Sequence, residues 1–302
     1  MTALAARSQN PWLQIVHRLS RHKLAMASLL ILTVMTLLCF NATSIGQWLG
    51  VDPFEDNLFS RFEAPSDTHK LGTDELGRDI LVRLLLGGQV SLTFAFVAAI
   101  ATSVIGTVLG VIAGYHGGRV DAVIMRSADF IISLPGIMLL ILIQSIDMTK
   151  LGFSEELVRS DSFSVYRLVV VISLLGWPFA ARLVRSNTLS VKHREYVQAA
   201  IGYGASHWFV MRQHILPNVI APVITATTLG IGGAILTESA LSFLGFGINP
   251  PTPSWGNMLQ NAREAMWHYP MAAVYPGVMV LITVITINFL GDGLQEAIDP
   301  KA

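Results

Sequence analysis

A carboxyl group stands inside one of the most apolar stretches of this sequence, where Glu238 is flanked by Thr237 and Ser239. A carboxylate in a hydrocarbon environment is costly unless it faces protein or water. Glu238 could therefore line a path for a solute or contact a cationic group. The alternatives are a carboxyl group that pairs with a helix of another subunit, or one that carries a proton. Asn288 is a second candidate for such a path, although a hydrogen bond between helices explains it more simply.

The residue types of catalytic and metal sites do not form a recognisable set here. Cys39 is the only cysteine, which excludes an internal disulfide and a multi-cysteine zinc site. The eight histidines show no metal-ligand spacing, and no His-Glu-x-x-His motif or other catalytic set occurs. A G-x-x-x-x-G-K-S/T phosphate loop is also absent from the sequence. We predict that this chain has no catalytic residue and binds no metal or cofactor. We therefore predict that it is not an enzyme.

The composition indicates that the elements which position these residues lie in a bilayer. Of 302 residues, 52% are hydrophobic and 13% are charged, and the mean hydropathy is +0.56. These values are too apolar for a soluble chain. Because twenty basic and twenty acidic residues cancel, no general basic field would attract nucleic acid. We therefore predict an all-α membrane protein with lipid as a partner and no nucleic acid.

The hydrocarbon core of a bilayer is crossed by about 20 helical residues. Six stretches are apolar enough, and they lie at residues 24–45, 90–115, 123–146, 166–184, 220–243 and 271–290. Pro135, Pro178 and Pro222 each remove a helical hydrogen bond, so kinks are expected near them. With the N-terminus inside, twelve of the twenty lysines and arginines fall on the cytoplasmic side. This excess favours both termini in the cytoplasm.

The long segment between the first two spans is predicted to carry a short helix in the membrane interface. Thr73 could cap this helix, with Asp74 and Glu75 in its first turn, where negative charge favours the positive end of the helix dipole. Asp79 and Arg83 would pair four residues apart, beside a face of isoleucine and leucine side chains. The segment should therefore lie flat on the membrane before the second span begins.

Three glycines recur along the second predicted span. Gly106, Gly110 and Gly114 are spaced four residues apart, which places them on one face of a helix. Small residues in this pattern let a neighbouring helix approach closely within a membrane. We predict a tight helix contact at this face, against the alternative of a span that is merely rich in glycine.

A polar stretch at residues 194–218 separates the fourth span from the fifth. Glu195 opens its first turn, and Ala199 and Ala200 provide a small face. Gly204 permits a bend, since glycine adopts conformations that other residues avoid. The pattern predicts a helix, a glycine break and a second helix.

The second half of this stretch is bulky and basic. Trp208, Phe209, Met211 and Arg212 follow the bend, and the segment is expected to end at Pro217. Small residues that permit close approach, next to tryptophan and arginine anchors, are typical of a helical knob that fits a groove on a partner protein. We therefore expect this stretch to bind another protein.

Residues 194–218, with the spacing Glu-Tyr-Val-x-Ala-Ala, resemble the EAA loop of ABC importer permeases of the peptide and nickel branch, and we call them the EAA segment. Further motifs resemble the second permease of that branch, namely LGTDELGRD at 71–79, GQVSL at 88–92, SFLGFG at 242–247, PTPSWG at 251–256 and GDGLQEAIDP at 291–300. Gln198 and His214 depart from the general pattern, and the insertion at 147–166 is longer than expected. The resemblance covers the chain from about residue 24 to its end.

The resemblance implies a type I ABC importer permease with six transmembrane helices in the bacterial inner membrane. Such a chain would pair with a second permease, receive substrate from a periplasmic binding protein and dock two cytoplasmic ATPases that hold ATP and magnesium. It would form half of a translocation pathway for peptides or a related small solute. Nickel or another non-peptide solute is an alternative, as is a secondary carrier or membrane enzyme that needs no ATPase.

Residue roles and boundaries follow from the same resemblance. The residues expected to contact the ATPases are Glu195, Ala199, Ala200, Gly204, Trp208, Arg212 and Pro217. Binding-protein docking is assigned to Asp74, Arg78 and Asp79, with local bracing as the alternative for Arg78 and Asp79. The regions are a cytoplasmic segment 1–23, a first span 24–45, a periplasmic loop 46–89, a transmembrane core 90–293 and a cytoplasmic tail 294–302.

Overall fold

The computed structural model describes residues 11–158, 160–263 and 265–298. Arg7, Arg159 and Lys301, which entered the orientation count, lie outside the described residues, as do the last two positions of the motif at 291–300. The described helices are α1 (Pro11–Arg21), α2 (Lys23–Phe40), α3 (Ala42–Leu49), α4 (Ile80–His116), α5 (Gly118–Ser133), α6 (Gly136–Gln144), α7 (Glu155–Val158), α8 (Asp161–Lys192), α9 (Glu195–Gly202), α10 (His207–Val210), α11 (Leu216–Phe243), α12 (Trp255–Ala262) and α13 (Met271–Ile298).

Among the described residues, five helices are long and apolar enough to cross a membrane. They are α2, α4, α8, α13 and the continuous helix His207–Phe243, which ends with α11. A sixth candidate is the pair α5 and α6, which is bent by 86°. The prediction of an all-α membrane fold is confirmed, with the third span broken.

The break in the third span lies at Leu134 and Pro135. Leu134 is extended, with φ −84° and ψ 144°, because a proline disfavours the helical conformation of the residue before it. Pro135 itself has no N–H to donate to the preceding turn. The prediction of a single uninterrupted span over 123–146 is therefore wrong, although a kink near Pro135 was expected. By contrast, α8 and α11 run on through Pro178 and Pro222.

The second span begins ten residues earlier than predicted, and the separate interfacial helix does not exist. Asp79 is the cap residue, because its Oδ1 accepts the N–H of Val82 at 2.8 Å, and the helix that starts at Ile80 continues to His116. Thr73 does not cap a helix; its hydroxyl accepts the N–H of Glu63 at 2.8 Å. A turn at Gly77, with φ +78°, separates the acidic pair from the helix start.

A further correction concerns the end of the EAA segment. The helix does not stop at Pro217, because α10 passes through a π-helical turn at Met211–Ile215 directly into α11. Pro217 has no N–H to donate. The π-helical turn directly before it has a wider hydrogen-bond pattern, in which the N–H of Leu216 donates to the carbonyl of Met211. The fifth span thus begins at His207 rather than at residue 220.

The glycines of α4 contact α8 as the sequence predicted. A Cβ atom on Gly106 would overlap Ala180, one on Gly110 would lie 2.6 Å from the carbonyl oxygen of Ala181, and one on Gly114 would lie 2.7 Å from Cβ of Thr188. No side chain fits at these positions. The two helix backbones therefore lie in close contact, and the prediction of tight packing is confirmed.

The parts of the chain that connect the long helices lie at the two ends of the helix bundle. Residues 51–79 and 245–270, apart from residue 264, lie together at one end and are called the cap. The rings of Phe62 and Tyr269, one from each part of the cap, stack with centroids 4.5 Å apart. At the other end, the hydroxyl of Tyr115 lies 2.8 Å from Nδ1 of His207 and joins α4 to the EAA segment.

The glycine contact generates a stability prediction. Gly110→Ala places a methyl group into the backbone of α8, and overpacking of this kind costs about 1–3 kcal/mol. We expect a lower thermal unfolding midpoint of the detergent-purified chain. Gly233→Ala is the matched control, because no atom lies within 4 Å of its added Cβ. An equal midpoint for the two variants would contradict the close contact.

Candidate functional site

The EAA segment is a bent pair of helices with a glycine at the bend. Gly204 has φ +83°, a conformation that residues with a Cβ atom rarely adopt. Ser206 then starts the second helix, with its Oγ accepting the N–H of Phe209 at 3.3 Å. The predicted order of helix, break and helix is confirmed, and Gly204 is required for the backbone rather than for space.

Large aromatic side chains cover the outside of this bend. Tyr203 is 92% exposed and Trp208 is 70% exposed. On the inside of the bend, Val197, Val210 and Ile215 are fully buried and pack in a core cluster shared with α4 and α8. The segment is therefore held from within, while Tyr203 and Trp208 face outward.

The predicted contact residues of the segment divide by exposure. Glu195, Ala199, Gly204, Trp208, Arg212 and Pro217 are exposed, and Ala200 is partly buried. Gln198, which departs from the general EAA pattern, donates from Nε2 to the carbonyl of Lys192 at 2.8 Å. Lys192 in turn donates from Nζ to the carbonyl of Tyr115 at 2.5 Å. These bonds connect the segment to the ends of α8 and α4.

Three charged residues of the cap, Asp74, Glu75 and Arg78, form a cluster with Arg83 of α4. Arg78 donates from Nε to Asp74 Oδ2 at 2.8 Å, and Nε of Arg83 lies 3.3 Å from the same oxygen. A third contact joins Arg78 to Glu75 at 3.2 Å. Burial, together with the neighbouring Asp74 carboxylate, raises the pKa of Glu75 above its ordinary value. Arg83 thus pairs with Asp74, and the expected pair of Arg83 with Asp79 is replaced.

The three residues assigned to binding-protein docking lie inside the cap. Asp74, Arg78 and Asp79 are only 8%, 8% and 1% exposed. Besides capping α4, Asp79 has Oδ2 at 3.0 Å from Nδ1 of His69. Their contacts are those of the bracing role that the sequence left open for Arg78 and Asp79, and the structure offers a docking protein little of these side chains.

Glu238 lies near the cap end of α11 and is 0% exposed. Its Oε1 accepts the hydroxyls of Ser242 and Ser254, both at 2.8 Å. Its Oε2 is 3.4 Å from the hydroxyl of Ser91 and 3.5 Å from that of Ser239. The carboxyl group is thus surrounded by hydroxyls of this chain, and in this conformation it does not line an open path.

The sequence analysis did not predict the serines whose hydroxyls donate hydrogen bonds to Glu238. Ser242 is one helical turn beyond the glutamate, so its spacing was available as a signal. Ser91 and Ser254 stand in the GQVSL and PTPSWG motifs, far apart along the chain. Only the fold brings them together.

Asn288 is exposed on α13. Its Oδ1 lies beside Gly232, where an added Cβ would come within 3.4 Å. The structure thus leaves Asn288 on the surface between α11 and α13, apart from Glu238. No group of three or more histidine, cysteine, aspartate or glutamate residues arranged to hold a metal is found in the part of the chain described.

Two family models match this chain. One, described as "Binding-protein-dependent transport system inner membrane component", matches residues 106–302. The other, described as the N-terminal transmembrane domain of oligopeptide transport permease C, matches residues 10–65. The chain belongs to the family of binding-protein-dependent transport system inner membrane components. It is therefore a multi-pass transport permease of the inner membrane.

Curated relatives are similar to this permease over nearly its whole length. A glutathione transport system permease protein of Pectobacterium atrosepticum is 35% identical over 97% of this chain and 92% of its own length. A dipeptide transport system permease protein of Alkalihalophilus pseudofirmus is 36% identical over 97% of this chain and 90% of its own. An oligopeptide transport system permease protein of Bacillus subtilis is 33% identical over 99% and 92%.

A solved structure shares the fold of the permease at low sequence identity. The crystal structure of an amino acid ABC transporter with histidines matches with a TM-score of 0.53 and 14% identity, over 71% of this chain and 93% of the solved one. The match supports the type I permease fold that the sequence motifs implied.

The cap cluster generates a second stability prediction. Asp74→Asn removes the charge that Arg78 and Arg83 share, and breaking a buried ion pair costs about 3–5 kcal/mol. We expect a lower unfolding midpoint and faster proteolysis of the cap. Asp67→Asn is the matched control, because that carboxylate is fully exposed beside Lys70 and its loss should leave both measurements unchanged. A cap as resistant as wild type would argue against the bracing role.

Proposed function

We propose that this permease forms half of the translocation pathway of an ABC importer for peptides or related small solutes. Its family establishes a binding-protein-dependent transport system, and the relatives described above are named for glutathione, dipeptides and oligopeptides. The importer would contain a second permease, two ATPases that hold ATP and magnesium, and a binding protein that delivers substrate.

The observation that carries the coupling proposal is the exposed aromatic surface of the EAA segment. Trp208 and Tyr203 project from a bend whose inner side is fixed by buried valines and isoleucine. Tryptophan and tyrosine are the side chains most often found at the energetic centre of protein interfaces. We therefore place the ATPase contact here, which also puts this end of the bundle in the cytoplasm and the cap in the periplasm.

The helix that follows the bend connects the proposed ATPase contact directly to a membrane span. His207–Phe243 is continuous, so a displacement of Trp208 acts directly on the span that contains α11. The bond of His207 to Tyr115 extends the same displacement to α4, and the bond of Gln198 to the end of α8 extends it further. Closure of the ATPases would thus move three spans together, as in a rigid-body transition.

On the periplasmic side, Asp74, Arg78 and Asp79 would stabilise the folded cap rather than contact the binding protein directly. Their mutual bonds hold the fold of the cap on which a binding protein would land. For the pathway itself, the exposed Asn288 is better placed to meet a solute than the enclosed Glu238.

The left-handed backbone at the bend provides a sharp test of coupling. Gly204→Ala and Gly202→Ala each add one methyl group into open space, but only Gly204 has a positive φ. Because the left-handed conformation costs an alanine about 1–2 kcal/mol, Gly204→Ala should reduce the ATPases that copurify with the tagged permease by about fivefold or more. Gly202→Ala should retain them. Equal recovery in both variants would show that the bend is not part of the contact.

Exposed tryptophans at the two ends of the molecule provide a second test. Trp208→Ala should weaken ATPase recruitment by about thirtyfold, the effect of losing an interface anchor worth about 2 kcal/mol. Trp48→Ala is the control, since that side chain is 85% exposed in α3, close to the cap. The amount of second permease that copurifies should not change in either case. ATPase binding that depends on Trp48 instead would reverse the proposed orientation.

A further inference from the structure

Three backbone amides of the cap are tied to Glu238 through serine hydroxyls. The N–H of Ile248 donates to Ser242 Oγ at 3.1 Å, and the N–H of Asn257 donates to Ser254 Oγ at 3.1 Å. The N–H of Trp255 donates to the oxygen of Ser91 at 3.2 Å, a residue of α4. Each serine therefore accepts a hydrogen bond from the cap.

The remaining hydrogen of each serine goes to the same carboxyl group. A hydroxyl has a single hydrogen to donate, and the three serine hydroxyls point theirs at Glu238. Chains of this kind polarise one another, so each bond strengthens the next. A carboxyl group with two oxygens can end all three chains, whereas the amide of a glutamine offers only one acceptor oxygen.

Close packing fixes the same part of the cap to the same two helices. A Cβ on Gly256 would lie 2.7 Å from Cα of Ser239 in α11. The indole Nε1 of Trp255 donates to the carbonyl of Leu84 in α4 at 3.0 Å, and Trp255 is fully buried. Residues 248–257 thus form one packed unit with the cap ends of α4 and α11.

This unit supports the exposed surface of the cap. α12 leads into residues 265–270, where Trp267 is 85% exposed. Tyr269 stacks on Phe62 of the other part of the cap, and Phe59, three residues before Phe62, is 103% exposed. Residues 248–257 are thus joined along the chain, through α12, to the part of the cap that carries Trp267 and Tyr269.

We propose that Glu238 is a positioning residue for transport, which holds residues 248–257 to α4 and α11 through Ser91, Ser242 and Ser254 and so sets the cap surface that receives the binding protein. The inference rests on the proposed function for its partner and on the hydrogen bonds above for its mechanism. It assigns to the carboxyl group a role in shaping the periplasmic surface, away from any contact with the solute.

The test uses the assembled importer in lipid nanodiscs with Glu238→Gln, which keeps the shape of the side chain and removes one acceptor oxygen. Thr237→Val is the matched control, because the one hydrogen bond of the Thr237 hydroxyl among the described residues goes to the carbonyl of Gly233 within its own helix. Hydrogen exchange is measured on peptides that cover 245–258. The affinity for the transporter's own binding protein, saturated with a tryptic digest of casein, is measured on the same samples.

We expect Glu238→Gln to speed amide exchange in 245–258 at least tenfold and to raise the dissociation constant of the binding protein at least tenfold. Thr237→Val should change both by less than twofold. Ser254→Ala should weaken binding on its own and add little to Glu238→Gln, because the two groups act in one network.

Two results would overturn the inference. Unchanged exchange in Glu238→Gln would show that the carboxyl group does not hold the segment. Faster exchange with wild-type affinity would show that the segment does not set the docking surface. A wild-type permease that recruits neither ATPases nor the binding protein would instead refute the proposed function, and the exchange measurement would still report on the hydrogen bonds.

Discussion

The close contact between the backbones of α4 and α8 supports both ends of the helix bundle of this permease. Within lipid, helices gain little from hiding apolar surface, so their association depends on packing and on polar bonds. The three glycines of α4 supply the packing, because they let α8 approach to backbone distance. α4 then reaches from the cap at Asp79 to the EAA segment at His116, and both ends are built on it.

Burial separates the polar groups that hold the structure from the groups that are free to bind. Asp74 in the cap and Glu238 at the cap end of α11 are both enclosed, and their carboxyl groups accept hydrogen bonds within the chain. Large aromatic side chains remain exposed at both ends, with Trp208 and Tyr203 on the EAA segment and Trp267 on the cap. Burying an unpaired charge costs free energy. A single exposed aromatic side chain is common on a protein surface, and covering it with a partner is favourable. The groups exposed for a partner therefore include aromatic side chains at both ends.

One helix connects these ends. His207–Phe243 begins beside Trp208 and contains Glu238 near its far end. Thirty residues of helix at 1.5 Å per residue separate the two by roughly 45 Å. A displacement at the EAA segment and the position of the cap are therefore properties of the same element, and both proposals above depend on its continuity through the π-helical turn and Pro222.

The sequence by itself determined the helical class, the membrane location, the glycine contact and the bend at Gly204, because periodicity and backbone preference are local properties. It placed the starts of the second and fifth spans wrongly, since Asp79 and the π-helical turn act through bonds that composition does not reveal. Only the tertiary structure decided that Glu238 is enclosed and that Asp74, Arg78 and Asp79 brace the cap. Their partners lie on other elements or across a reversing turn, and distance along the chain does not show which hydroxyl meets which carboxyl group.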